Sequence, residues 1–210
     1  MSKGLFITLE GGDGAGKSTQ MDNIEKYFAE RGYECVRTRE PGGTAIGEAL
    51  REILLNPENK EMTAVTEMLI YAASRAQHVR ELVRSAIESG KIVICDRFVD
   101  SSLAYQQYGR GLGDMVWAVN QYAVDGMMPD ITFWMDVDPE TGKARASKAG
   151  ALDRLELEQM DFHERVYDGY KKLQQANPDR IKRIDATQDI ETIRDDIYAE
   201  LDKLCVERNL

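Results

Sequence analysis

The sequence predicts an α/β fold in which about five parallel strands form a sheet flanked by helices. Two observations lead to this prediction. Short apolar runs alternate along the chain with longer segments of helical periodicity, as in βαβ units. Turn sequences typical of hairpins are scarce between these runs, which favours parallel pairing. The length of 210 residues suits one domain, and we see no linker or repeat that divides residues 1–210.

The individual elements are assigned from apolar periodicity and from glycine and proline punctuation. The clearest strand is Leu5–Leu9, a nearly continuous apolar run of the kind found in buried central strands. In chain order, we predict a strand at Leu5–Leu9, helices at about Lys17–Glu30 and Ala45–Leu55 around a strand at Glu34–Thr38, a long helix at about Met62–Ser89, a strand at Ile92–Cys95, a helix near Asp114–Gly126, a strand at Ile131–Val137, a helix from Pro139, a long helix ending near Ala176, a strand at Arg180–Ile184 and a helix after Asp189.

The long helix carries an apolar stripe with steps of three and four residues. The stripe consists of Val65, Leu69, Ala72, Ala76, Val79, Val83 and Ala86. Such a stripe packs either against the core or against another chain, and its sequence does not distinguish the two.

The composition excludes several kinds of partner and site. The formal net charge is −10, which argues against nucleic acid as the main partner because phosphate backbones require a basic face. No segment approaches the roughly 20 apolar residues of a membrane span or resembles a signal peptide, so we expect a cytoplasmic protein without a membrane partner. The three cysteines and two histidines lie far apart, so neither a disulfide framework nor a zinc site is expected.

The strongest motif is the glycine loop that follows the first strand. Gly11-x-x-x-x-Gly16-Lys17-Ser18 matches the P-loop pattern, and it stands between a predicted strand and a predicted helix. Glycines let several backbone N–H groups point at one phosphate, and the helix N-terminus adds its positive end. Lys17 should reach the β- and γ-phosphates, and the Ser18 hydroxyl should ligate Mg²⁺. A P-loop NTPase fold that binds a Mg-nucleotide, ATP, is therefore expected.

Two classes of P-loop protein fit the sequence poorly. A GTPase requires an Asn-Lys-x-Asp element for base recognition, and Asn59-Lys60-Glu61-Met62 fails at its last position. Partitioning-type ATPases carry an additional lysine early in the loop, where this chain has Gly12 and Asp13.

Four further segments place polar and charged side chains where an acceptor could bind. Arg39 follows the second strand, and Tyr71 and Arg75 lie four residues apart on the long helix, so their side chains project together. Asp96 and Arg97 stand at the end of a buried strand, the edge of an open α/β sheet where ligands collect. Hydrogen-bonding side chains follow at Ser101, Ser102, Tyr105 and Gln106.

These segments together resemble the bacterial thymidylate kinase (dTMP kinase) family over essentially the whole chain. The resemblance rests on Glu10–Thr19, on Arg39-Glu40-Pro41-Gly42-Gly43, on Tyr71–His78, on Asp96-Arg97-Phe98 with the segment Ser101–Gln106, and more weakly on Leu152-Asp153-Arg154 and Asp185-Ala186. It implies transfer of the γ-phosphoryl group of MgATP to the 5′-phosphate of dTMP, which yields dTDP. It also implies a homodimer.

The resemblance assigns a role to each candidate residue. The nucleotide-binding residues are Gly11, Gly12, Asp13, Gly14, Ala15, Gly16, Lys17, Ser18, Thr19 and Arg154, and the metal-associated residues are Ser18 and Asp96. On the acceptor side, Arg39 and Arg97 hold the phosphate, Tyr71 stacks on thymine, Arg75 hydrogen-bonds thymine, Ser101, Ser102 and Gln106 contact the base, and Tyr105 screens the sugar. Asp13 matches a carboxylate near the 3′-hydroxyl. The catalytic residues are Lys17, Arg97, Asp13 and Arg145.

The segment of about residues 143–154 corresponds to the family's short lid, and here the sequence departs from the family pattern. In the family it resembles, a P-loop without a basic residue between Gly14 and Gly16 goes with lid arginines, which close over the phosphates and stabilise transferring charge. Arg145 and Arg154 are retained, but two arginines of the usual alternation read Ser147 and Ala149, with Lys148 between them. We expect Arg145 to supply most of the electrostatic stabilisation from the lid, because lysine is a point charge without a fork.

Two competing hypotheses remain at this stage. The chain could be another small P-loop kinase, such as a deoxynucleoside kinase, or a non-catalytic P-loop ATPase switch. The pairing of Arg97 with Arg39 favours an acceptor that already carries a phosphate. A switch protein would have no use for the acceptor-side residues.

Overall fold

In the computed structural model of the chain, which describes residues 4–146, 153–208 and 210, five parallel strands form one sheet. The strands are β1 (Phe6–Glu10), β2 (Cys35–Arg39), β3 (Ile92–Asp96), β4 (Ile131–Asp136) and β5 (Ile181–Asp185). Their order is β2–β3–β1–β4–β5, with all neighbouring pairs parallel. This topology confirms the predicted fold class.

The strand register brings several charged residues to one edge of the sheet. Leu9 of β1 and Arg39 of β2 both lie opposite Asp96 of β3. On the other side of β1, Glu10 lies opposite Trp134. Because all strands run in the same direction, their carboxyl ends and the loops that follow them meet at this edge.

The helices pack on both faces of the sheet, and most coincide with the predicted ones. They are α1 (Lys17–Ala29), α2 (Ala45–Leu55), α3 (Ala64–His78), α4 (Arg84–Glu88), α5 (Val99–Ser102), α6 (Met115–Val124), α7 (Pro139–Ala146), α8 (Met160–Ala176) and α9 (Ile190–Arg208). No helix in the described part of the chain is both long enough and apolar enough to cross a membrane.

Two helical regions differ from the sequence-based expectation. The long helix is divided, because a π-helical segment at Val79–Val83 joins α3 to α4. The second region, α5 with the π-helical segment Leu103–Gly109, was not predicted at all. It lacks an apolar stripe because it buries polar side chains, among them Asp100 and Gln106, which are each 1% exposed. Periodicity of apolar residues therefore does not reveal it.

Three apolar clusters hold the sheet and helices together. On one face of the sheet, residues such as Ile24 of α1 and Ile197 of α9 are fully buried. A second cluster surrounds Val83 and Phe98. The third is rich in aromatic rings and packs α8 against β4 and β5. Burial of this kind stabilises the fold by roughly 25 cal/mol per Å² of apolar surface.

The apolar stripe of the long helix is buried in only part of its length. Val79 and Val83 lie in the core, whereas Val65 and Leu69 are 44% and 50% exposed. Along its length α3 instead turns Glu67 and Arg75 inward, and each is 1% exposed. The exposed half of the stripe is thus free in the single chain, and the buried face of α3 is partly polar.

Candidate active site

The glycine loop leaves β1 and leads directly into the N-terminus of α1. Gly11, Gly14 and Gly16 have φ angles of 130°, 75° and 83°, which side chains disfavour. A Cβ at Gly11 would lie 2.6 Å from the Met135 carbonyl oxygen, and a Cβ at Gly14 would lie 2.2 Å from the Gly142 oxygen. Backbone conformation therefore requires all three glycines, and space also requires those at positions 11 and 14. The loop stands at a helix N-terminus, where anions bind.

Lys17, the first residue of α1, folds back over this loop. Its Nζ donates to the carbonyl oxygens of Gly12 (3.0 Å) and Gly11 (3.3 Å) and lies 4.0 Å from Asp96 Oδ1. Burial and then the neighbouring Arg97 lower the pKa of Lys17, although Asp96 and Asp13 oppose this effect. Two cations held together in this way create a site that favours a multiply charged anion.

Arg97 connects the glycine loop with the acceptor side. It has a φ of 66°, a backbone conformation that is uncommon outside glycine and recurs at functional sites. Its guanidinium donates to the Gly11 carbonyl oxygen (2.7 Å) and to Asp13 Oδ1 (2.7 Å). The same group lies over the ring of Tyr105, 5.2 Å from its centroid. Lys17, Arg97 and Asp13, three of the predicted catalytic residues, are thus within one cluster.

A cavity of about 130 Å³ opens beside Arg97, and every predicted acceptor-side residue lines it. These residues are Arg39, Tyr71, Arg75, Arg97, Ser101, Ser102, Tyr105 and Gln106, and the cavity also reaches Asp13, Lys17 and Asp96. The predicted residues among them run from Asp13 to Gln106 in the sequence, and they meet here because they follow the carboxyl ends of β1, β2 and β3 or lie on α3.

Arg75 is held rigidly in the wall of this cavity. Its guanidinium is buried and donates to Glu40 Oε2 (2.8 Å), to Ser102 Oγ (2.9 Å), to the Asn120 side chain and to the Phe98 carbonyl oxygen (2.9 Å). Arginine has five N–H donors, so these bonds use four of them. Arg75 therefore has a fixed orientation and one N–H donor that remains available. A residue that hydrogen-bonds a ligand requires both.

Arg39 lies at a more open part of the cavity. It is exposed and donates to Glu48 Oε2 at 2.8 Å. Arg51 of α2 lines the same cavity and donates to the Pro41 carbonyl oxygen at 2.9 Å. The cavity thus has a second, half-buried cation besides Arg39, and the sequence alone did not identify it. The position of Arg51 on an amphipathic helix gives no distinctive signal.

The residues predicted to bind the metal lie around a second cavity. Ser18 and Asp96 both line it, together with Arg37, Arg39 and Glu48. Asp96 Oδ1 is buried and has no hydrogen-bond partner among the described residues. A carboxylate oxygen that accepts no hydrogen bond, near an exposed serine hydroxyl in a P-loop, suits the oxygen ligands that Mg²⁺ prefers. The residues present therefore fit a Mg-nucleotide. Thr19, the last residue of the predicted nucleotide site, is also exposed.

The two arginines of the predicted lid have different surroundings. Arg145, at the end of α7, is exposed and donates to the Ala186 carbonyl oxygen at 2.9 Å. Arg154 donates to the Leu54 carbonyl oxygen (2.8 Å) and to Glu67 Oε2 (2.7 Å). In this structure Arg154 thus contacts α2 and α3 on the acceptor side, and its role in nucleotide binding stays a prediction. Ser147, Lys148 and Ala149 lie outside the described residues.

The sequence of the chain matches a known protein family. The family model described as thymidylate kinase matches residues 9–197, which is most of the chain. The chain belongs to the thymidylate kinase family.

Individual relatives agree over nearly the full length. The thymidylate kinase of Clostridium novyi is 51% identical over 200 residues, which cover 94% of this chain and 98% of that protein. That of Lactobacillus delbrueckii subsp. bulgaricus is 52% identical over 192 residues, which cover 90% and 91%. The crystal structure of thymidylate kinase from Ehrlichia chaffeensis superposes with a TM-score of 0.78 at 34% identity, covering 95% of this chain and 99% of that one.

Within this thymidylate kinase fold, a buried carboxylate supports the acceptor cavity from below. Glu10, the last residue of β1, accepts hydrogen bonds from the Phe98 amide (2.7 Å), the Ser101 hydroxyl and the Tyr170 hydroxyl (3.2 Å). Burial, with Asp100 nearby, raises the pKa of Glu10 to about 7. Glu10 thereby fixes the turn that carries Arg97. The sequence signal for its role was a glutamate at the end of an apolar strand.

A second buried carboxylate, Glu67, was also missed. It lies one helical turn before Tyr71 and two turns before Arg75, so the four-residue spacing that identified those two residues extends to it. Glu67 is 1% exposed and accepts hydrogen bonds from Gln106, Arg110 and Arg154.

Proposed function

We propose that this member of the thymidylate kinase family transfers the γ-phosphoryl group of MgATP to the 5′-phosphate of dTMP, giving dTDP and ADP. The observation that supports this proposal best is the position of Arg97. Its guanidinium contacts the glycine loop at Gly11 and Asp13 and also borders the acceptor cavity. A donor phosphate on the loop and an acceptor phosphate in the cavity would meet at this side chain.

Charge neutralisation is the main task of such a site. Phosphoryl transfer between two anions depends on positioning and electrostatic stabilisation more than on a strong base. Lys17 and Arg97 are both cations close to the loop carbonyls, and Arg39 and Arg51 border the acceptor cavity. In this proposal Lys17 binds the donor phosphates, and Arg97 and Arg39 together bind the acceptor phosphate.

Asp13 acts in this proposal by orienting other groups. Burial alone would raise its pKa, but Arg97 and Lys17 more than offset that effect, so the pKa of Asp13 is lowered. An ionised carboxylate that accepts from Arg97 at 2.7 Å holds the guanidinium in place. It can also accept a hydrogen bond from the 3′-hydroxyl of the acceptor sugar.

The remaining cavity residues recognise the nucleoside. Tyr71 offers an aromatic face for thymine, Arg75 offers its remaining N–H donor, and Tyr105 screens the sugar. Ser18 and Asp96 would hold Mg²⁺, which neutralises charge on the donor phosphates when it is bound. The single-domain organisation, the cytoplasmic location and the lack of nucleic-acid and membrane partners stay predictions from the sequence.

The direct test is an assay of ADP release with ATP and Mg²⁺ against a panel of nucleosides and nucleoside monophosphates. We expect turnover with dTMP and little turnover with thymidine, because the cations of the cavity require a phosphate on the acceptor. Turnover with thymidine alone would support a deoxynucleoside kinase. ATP hydrolysis without any acceptor would support an ATPase switch, and either result would overturn the proposal.

For the lid we propose that Arg145 stabilises the charge that develops during transfer. It stands at the end of α7, whose Gly142 carbonyl approaches Gly14 of the glycine loop closely. Its side chain is exposed and bound to a single backbone carbonyl, so it can turn toward the phosphates at little cost.

Replacement of Arg145 by alanine should lower kcat by about 100-fold or more and change KM for dTMP only slightly, because the interaction would form mainly in the transition state. Steady-state kinetics measure both constants. The matched control is Arg194→Ala, which removes a partly exposed arginine on α9 and should leave both constants unchanged. An Arg145 variant with unchanged kcat would contradict the assignment.

We further propose that the protein is a homodimer that uses the exposed faces of α2, α3 and α6. Val65 and Leu69 are exposed four residues apart on α3, and Met115 and Tyr122 are exposed seven residues apart on α6. These spacings place each pair on one helix face. Because α3 packs against both α2 and α6, the exposed apolar residues form a continuous region that a second copy would cover.

Sedimentation velocity tests the dimer. The unaltered protein should sediment as a dimer, and Leu69→Lys should sediment as a monomer at the same concentration, because a buried unpaired charge disfavours the interface. Val206→Lys is the control, since Val206 is 78% exposed on α9. A monomeric wild-type protein, or a Leu69→Lys variant that stays dimeric, would refute the proposed interface.

A further inference from the structure

Glu67 is the centre of a buried network at the end of the acceptor cavity that lies away from the glycine loop. Its Oε1 accepts from Gln106 Nε2 at 2.9 Å and from Arg110 Nε at 3.2 Å. Its Oε2 accepts from Arg110 Nη2 at 2.9 Å and from Arg154 Nη2 at 2.7 Å. Burial opposes ionisation of Glu67, but the hydrogen bonds and charge of Arg110 prevail and its pKa is lowered. Glu67 is thus an ionised carboxylate.

This ionised state determines which way the amide of Gln106 faces. An ionised carboxylate only accepts hydrogen bonds, so the NH₂ group of Gln106 has to point toward Glu67. The amide oxygen must then point the other way. Gln106 Oε1 is buried and has no hydrogen-bond partner among the described residues. Gln106 itself is 1% exposed and lines the acceptor cavity.

A buried amide oxygen without a partner favours a ligand that brings an N–H donor. The N3 atom of thymine carries a proton and is a donor, whereas the N3 atom of cytosine is an acceptor. A ligand with an acceptor at this point would leave two acceptors facing each other in a buried site. Gln106 therefore presents a hydrogen-bond acceptor to the cavity. It does so because its NH₂ group donates to Glu67.

We propose that Glu67 is a positioning residue that selects the base of the acceptor: it locks Gln106 with its amide oxygen toward the cavity, so that a pyrimidine with a protonated N3 is accepted and one with an unprotonated N3 is rejected. This inference rests on the proposed function, because it takes the cavity to hold a nucleoside monophosphate. It assigns to Glu67 an effect on substrate choice in addition to its ion pairs.

The same carboxylate also joins the base end of the cavity to the C-terminal end of the lid. Arg154 binds Glu67 through its guanidinium and Leu55 through its backbone amide, which donates to the Leu55 carbonyl oxygen at 3.1 Å. Arg110 extends the network to Glu158, 2.6 Å from its Nη1. These two arginines keep Glu67 ionised, and the orientation of Gln106 depends on them in turn.

The decisive comparison uses dTMP and 5-methyl-dCMP, which share the methyl group, sugar and phosphate and differ in the N3 and C4 positions of the base. We expect the unaltered protein to prefer dTMP by about 100-fold or more in kcat/KM. In Glu67→Gln the side-chain amide at position 67 can either donate or accept a hydrogen bond, so the side-chain amide of Gln106 is free to flip. The preference for dTMP should then fall by at least tenfold.

A purely structural role of Glu67 would have a different outcome. It would lower kcat/KM for both substrates by a similar factor and leave their ratio unchanged, and that result would overturn the inference. The control Glu61→Gln makes the same charge change at an exposed residue before α3 and should leave the ratio as in the wild type. Dissociation constants for both nucleotides, measured by calorimetry, report the selectivity even without turnover. Absence of turnover with tight dTMP binding would count against the proposed function alone.

Because Glu67→Gln leaves two half-buried arginines without their carboxylate, the variant could fail to fold. A crystal structure of the unaltered protein with dTMP then provides the test. We expect Gln106 Nε2 to remain on Glu67 and its Oε1 to lie within hydrogen-bond distance of thymine N3. A complex in which Gln106 leaves Glu67, or in which another group faces N3, would overturn the inference.

Discussion

The contact of Arg97 with both the glycine loop and the acceptor cavity is the interaction on which the site depends. The backbone amide of Arg97 donates to the Leu9 carbonyl oxygen at 2.9 Å, which continues the pairing of β3 with β1 beyond the end of the strand. The positive φ then turns its side chain to Gly11 and Asp13. Central sheet, donor loop and acceptor cavity are thereby fixed relative to one another at a single residue.

Buried carboxylates supply the scaffold for the cations that handle phosphate and base. Glu10 holds the turn around Arg97, Glu40 holds Arg75, and Glu67 holds Gln106. Isolated buried charges would be costly, but each of these carboxylates accepts several hydrogen bonds. A rigid arrangement of this kind keeps catalytic groups in place before substrate arrives, which is the source of electrostatic stabilisation in enzymes.

The sequence predicted those parts of the molecule that have a local signal. The parallel sheet of about five strands follows from βαβ alternation, and the glycine loop at Gly11–Ser18 follows from a motif in its expected context. The region Val99–Gly109 was missed because it buries polar side chains, so no apolar period marks it. Glu10, Arg51 and Glu67 were missed because their roles arise from contacts between distant segments. The resting contacts of Arg154 likewise depend on Leu54 and Glu67, far from it in sequence.

The account is tested most directly by the kinetics of Arg97→Lys with ATP and dTMP. Lysine keeps the positive charge but lacks the fork that reaches Gly11, Asp13 and an acceptor phosphate together. We expect kcat/KM for dTMP to fall by about 100-fold or more. A variant that retains kcat/KM within a few-fold of the wild-type value would contradict the central role of Arg97.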